Sequence, residues 1–83
     1  MKVTKVEVEV DSKIYSIENS GKDTIEFVRR WKTNDMPTKS FSSYGDPDKI
    51  ARIIHSSIYG KPIVPFDMDY MLLLSIVSML MDG

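Results

Sequence analysis

The 83-residue sequence predicts an α+β fold. An N-terminal antiparallel β-meander of three or four strands over residues 1–44 is expected to precede two α-helices, 46–60 and 67–82, packed on one face of the sheet. Three observations carry this expectation. Apolar residues recur at every second position near the N-terminus, a proline- and glycine-bounded amphipathic stretch follows, and the segment "DYMLLLSIVSML" is almost wholly apolar at helical length. Strands grouped first and helices second leave the helices as a layer on one side of an antiparallel sheet. At this length one domain spanning residues 1–83 is expected. A chain so short buries only about 60% of the surface its unfolded form exposes, so each apolar group weighs on stability.

In "VTKVEVEV", Thr4, Val6, Val8 and Val10 fall on one side of an extended chain and Lys5, Glu7 and Glu9 on the other, the period of a half-buried strand. "DSK" offers a tight turn. "KIYSIEN" then gives a second strand, with Tyr15 and Ile17 on one face and Ile14 and Ser16 on the other. "SGKD" has the length and the glycine of a hairpin connection. Residues 24–32, "TIEFVRRWK", fit either a strand with Ile25, Phe27 and Trp31 on one face or a helix opened by an Asp23/Glu26 capping box. Their β-branched and aromatic content favours the strand; the helical alternative would give ββα and two further helices. "NDMP" is expected to end this element and "TKSFSSY" to add a fourth strand or an extended edge.

In "DPDKIARIIHSSIYGKP", Asp46 can cap the first free amides and Pro47 suits the first helical position. Ile50, Ile53, Ile54 and Ile58 recur at helical spacing. Gly60 tolerates positive φ and Pro62 prevents continuation. The last helix opens near Asp67, a second capping carboxylate, with Phe66 placed to fold back on Met71 as a hydrophobic staple.

Composition excludes several chemistries. There is no cysteine, so neither disulfides nor thiolate metal sites are available. The first ten residues lack the apolar core of a signal peptide, and a cytoplasmic location is expected. Eleven basic and twelve acidic residues leave a net charge of −1, without the electrostatic footprint of a nucleic-acid-binding domain. His55 is the sole histidine; it is expected to be a partly exposed helix residue, since no nucleophile or orienting carboxylate is spaced around it. The pairs Asp46/Asp48 and Asp67/Asp69 each open a helix, where carboxylates stabilise the amide dipoles, and the glycine and glutamate that complete a calcium loop are missing. Gly21, Gly45 and Gly60 read as turn residues rather than a phosphate cradle. No catalytic residue, metal or cofactor is therefore expected, and the chain reads as a non-enzyme.

"RRWK", residues 29–32, with Lys39, Phe41 and Tyr44 downstream, is the one basic-aromatic cluster. Stacking on Trp31 with phosphates held by Arg29, Arg30 and Lys32 would suit single-stranded nucleic acid. This is the lesser expectation, because Glu26 and Asp35 dilute the charge and no known binding motif is present.

Projected at helical pitch, residues 67–82 place Asp67, Met71, Ser75, Ser78 and Asp82 in one narrow arc and apolar side chains around most of the rest. A helix lying on one sheet needs an apolar stripe only somewhat wider than about 100°, and this one has about twice that. A membrane span requires about 20 apolar residues, more than this aspartate-flanked run supplies. An interfacial helix would carry lysines rather than aspartates on its polar face. One reading encloses this helix between the sheet and the first helix as the central element of the chain's own core. The other leaves one face to be covered by a protein partner or a second copy in a homodimer, with Tyr70, Leu73, Val77, Leu80 and Met81 as the expected contact residues. The expected function is that of a protein-binding module, a small inhibitor or adaptor of the type encoded by phage and mobile elements. A structural homo-oligomer subunit is the further alternative.

Overall fold

A computed structural model describes residues 2–21 and 24–82, the side chains of residues 34–40, 42–44 and 82 excepted. The arrangement is α+β with the meander first. β1 (Lys5–Val10), β2 (Lys13–Gly21), β3 (Thr24–Trp31) and β4 (Asn34–Tyr44) form one antiparallel sheet in sequence order, followed by α1 (Pro47–Tyr59) and α2 (Met68–Asp82). The strand alternative thus holds for residues 24–31; Asp23, the cap of the helical alternative, lies outside the described residues.

Local chemistry explains the turns. Val10 pairs with Lys13 across two residues, Asp11 at φ 50° and Ser12 at φ 67°. Positive φ at both central positions gives the mirror-image turn whose twist matches that of the flanking strands. "NDMP" does not end the third element. Reversal occurs at Lys32 and Thr33, and Asn34–Pro37 already belongs to β4. Pro37 sits opposite Arg30, where the register shifts, and an edge strand tolerates the missing amide donor.

The register sets Val6, Ile17, Phe27 and Phe41 side by side on the face that the helices cover. The Phe27 ring lies 5.7 Å from Tyr15 and 4.8 Å from Phe41. Both helices complete the core there: Ile50, Ala51 and Ile54 from α1 and Leu73, Ile76, Val77 and Leu80 from α2 are buried with Tyr15, Ile17, Ile25 and Phe27. The four α2 side chains contribute about 6 to 12 kcal/mol at roughly 1.5 to 3 kcal/mol each, a large share of the 5 to 15 kcal/mol, roughly, that holds a small domain together.

α1 is capped at both ends by its own sequence. Asp46 accepts from the Asp48 amide at 3.1 Å, and Gly60 closes the helix at φ 64°. Its buried face is Ile50, Ala51, Ile54 and His55, whereas Ile53 is exposed. The isoleucine seam is therefore rotated away from Ile53 and toward His55. His55 is wholly buried rather than partly exposed: it shares the inward face of α1 with Ile50, Ala51 and Ile54, and Asp67, just before α2, lies against its ring.

α2 is held at both ends. Asp67 Oδ1 accepts from the Tyr70 amide at 3.1 Å, and Asn19 Nδ2 donates to the Leu80 carbonyl at 2.7 Å, satisfying one of the oxygens a helix C-terminus leaves free. Among the described residues, no helix is long and apolar enough to cross a membrane.

Candidate functional site

The segment joining the helices contains the least expected backbone in the chain. The Asp67 amide donates to the Val64 carbonyl at 3.2 Å, closing a four-residue turn with Pro65 second and Phe66 third. Phe66 has φ 60°. A proline followed by positive φ is the pattern of a type II turn, whose third position ordinarily requires glycine. Here it holds phenylalanine, and that side chain is 91% exposed. The expected staple onto Met71 does not form, because left-handed backbone turns the ring out to solvent.

The exposed apolar surface continues from this turn onto α2. Val64, Met68, Met71, Leu72 and Met79 are all large and exposed. On the helix these fall beside Ser75 and Ser78, also exposed. Ser75 Oγ donates to the Met71 carbonyl at 3.0 Å, so its hydroxyl is satisfied within the helix. Within residues 68–79, the outward arc from Ser78 through Met68 and Met79 to Leu72 carries no charged side chain, and exposed Asp69 flanks it beside Leu72.

The side chains expected to make contact lie elsewhere. Leu73, Val77 and Leu80 are buried in the core, and Tyr70 and Met81 are half-buried at its margin. The physical reason is that a helix turns the centre of its apolar arc to the core, leaving a flank outward. Tyr70 is further engaged by its hydroxyl, which donates to Asp48, and by Arg52 stacked over its ring at 5.3 Å. Arg52 Nε also donates to Asp48 at 3.0 Å, so the first turns of the two helices are pinned together.

The chain has no match among known protein families, curated proteins or solved structures.

The basic-aromatic cluster is divided by the strand that carries it. Alternation along β3 puts Arg29 and Trp31 on the side of Phe27 and turns Arg30 to the opposite side. Arg30 Nη2 is 2.8 Å from Glu7 and Lys32 Nζ 3.3 Å from Glu9. The Arg30 guanidinium, hydrogen-bonded to Glu7, holds that carboxyl below its ordinary range. Trp31 is not in the core; it is exposed, with Lys13 Nζ 5.0 Å from its ring centre. Phe41 packs against the core, and the side chains of Lys39 and Tyr44 lie outside the described residues.

A second polar constellation occupies the helix junction. His55 Nε2 lies 3.3 Å from Asp67 Oδ2, and the His55 ring is 4.9 Å from that of Tyr59. Burial, then the nearby Asp69 carboxylate, pushes the Tyr59 hydroxyl above its ordinary pKa. An open cleft of about 300 Å³ runs past Arg52, Ser56 and Lys61 over His55. Both ring nitrogens are sealed from solvent, and a general base must come within hydrogen-bond reach of the group it serves. One aspartate of each pair caps a helix, Asp46 and Asp67 accepting from first-turn amides, whereas Asp48 accepts from Arg52 and Tyr70.

Proposed function

We propose that this chain is a protein-binding module that docks through the Val64–Phe66 turn and the outward face of α2, acting by occupancy as an inhibitor or adaptor rather than by catalysis. Phe66 carries the reading. A bulky residue at positive φ is held against its own backbone preference, and sites of such strain cluster where a chain binds something. Nothing within the fold is gained from a ring left 91% exposed. The neighbouring Met68, Met71, Leu72 and Met79 supply the adaptable apolar surface that suits a protein surface. The division of Arg29, Arg30, Trp31 and Lys32 between two faces weighs against the nucleic-acid alternative, because phosphate binding needs its cations on one side.

The test is capture by the immobilised chain, compared with Phe66→Gly and Leu72→Asp, both at exposed positions. A bound protein lost with both variants and retained by Arg30→Ala is the expected result. Capture that ignores both substitutions, or binding of a single-stranded oligonucleotide at moderate salt, would overturn the reading.

A further inference from the structure

We infer that the occupant of the docking face is a second copy of this chain, with α2 packed antiparallel on α2 about a two-fold axis; the inference rests on the reading of that face as a docking surface. Area is the first support. Phe66, Met68, Val64, Leu72, Met71 and Met79 are 91, 74, 59, 57, 48 and 44% exposed. Together they leave bare the equivalent of nearly four large side chains, about 600 to 700 Å² per copy at roughly 150 to 200 Å² each. The largest apolar patch of an ordinary monomer covers about 300 to 600 Å². Two such faces pressed together, with Val64 and Phe66 reaching across to the C-terminal end of the second copy's α2, would bury at most about 1,200 to 1,400 Å², at the lower edge of stable interfaces near 1,200 Å².

Self-complementarity is the second support. A two-fold interface must fit itself, residue i meeting j while j meets i. An axis passing between Leu72 and Ser75 sets Leu72 over Ser75 of the second copy, a large side chain over a small one, twice. The same axis sets Met68 against Met79 of the second copy at both ends. Burying Ser75 there leaves no hydroxyl unsatisfied, because Met71 already accepts its proton. Burial of a polar group is costly only when its hydrogen bond is lost.

The mass in solution tests this on the intact chain. Light scattering from low to high micromolar concentration is expected to give twice 9.5 kDa, falling to the single mass for Leu72→Asp and for Ser75→Arg, with helical circular dichroism retained. Ser75→Arg guards against a fold defect, since arginine is a good helix former at an exposed position. With no native cysteine to interfere, mixing Met68→Cys with Met79→Cys chains should give an oxidised 68–79 cross-link in preference to 68–68. A wild-type chain at the single mass, a dimer untouched by either variant, or a dominant 68–68 cross-link each overturns the inference. The docking reading survives a single mass if some other protein is captured in a Leu72-dependent way; both fall if nothing is.

Discussion

His55 Nε2 lies 3.3 Å from Asp67 Oδ2 with the two side chains 0% and 8% exposed. Asp67 thereby does two jobs, since its other oxygen caps α2 through the Tyr70 amide. Asparagine caps a helix about as well as aspartate, whereas alanine forfeits about 0.5 to 2 kcal/mol. Asp67→Asn isolates the loss of the charge facing His55, and Asp67→Ala adds the loss of the cap. Urea unfolding is expected to rank wild type above Asn and Asn above Ala, with the second step on the order of 1 kcal/mol. Equal midpoints for the two variants would show that the cap contributes nothing.

Tyr59 links this junction to alkaline stability. Its hydroxyl pKa is raised above 10.0 in the folded chain by burial and the Asp69 carboxylate. Below pH 10 both folded and unfolded chains keep the proton. Above it the unfolded chain loses the proton first, so stability falls as pH rises toward the folded value. Tyr59→Phe removes the titrating group. Its unfolding free energy is expected to fall less steeply than that of wild type above pH 10, the two running parallel below. An identical decline in both would mean that other groups govern the alkaline limb.

The two faces of α2 should answer differently to truncation. Leu80 is fully buried, and Leu80→Ala is expected to cost about 2 to 5 kcal/mol through lost contacts and the cavity left behind. Leu72 is 57% exposed, and Leu72→Ala is expected to stay within about 0.5 kcal/mol of wild type in a single subunit. Chemical denaturation at low protein concentration reads both. A large loss at Leu72 in a dilute, monomeric sample would place it in the core.

That contrast locates what could be read from the sequence. The β1 and β2 faces, the caps Asp46 and Asp67, and the Gly60 stop were legible because each follows from a short-range rule of period or hydrogen bonding. The excess of apolar circumference on α2 was legible too, as a count. Which side it would occupy was not, because that depends on where the core sits. Leu73, Val77 and Leu80 stand at the middle of the apolar arc and therefore face inward, and the remainder lies on the flank beside Ser75. The burial of His55 was illegible for a related reason: it lies on the α1 face turned to the core, and its neighbour Asp67 comes from outside its own helix. Phe66 left no signal, since the third position of a type II turn is recognisable by glycine and this turn has none.

Phe66 yields the sharpest separation of folding from binding. At φ 60° a residue with a Cβ carries a steric penalty of roughly 1 to 2 kcal/mol, which glycine escapes. Glycine in turn gives the unfolded chain more freedom, at a cost of about 0.4 to 1 kcal/mol. The two terms partly offset, so Phe66→Gly is expected to match wild type or exceed it by up to about 1.6 kcal/mol. Phe66→Val, with a branched Cβ in the same backbone well, is expected to be less stable than either. Thermal unfolding of dilute samples ranks the three. If glycine proves the most stable and yet abolishes docking, the strained ring is retained for contact and not for the fold. If glycine costs more than about 1 kcal/mol, the ring packs on its own chain in solution and its exposure no longer supports a docking role.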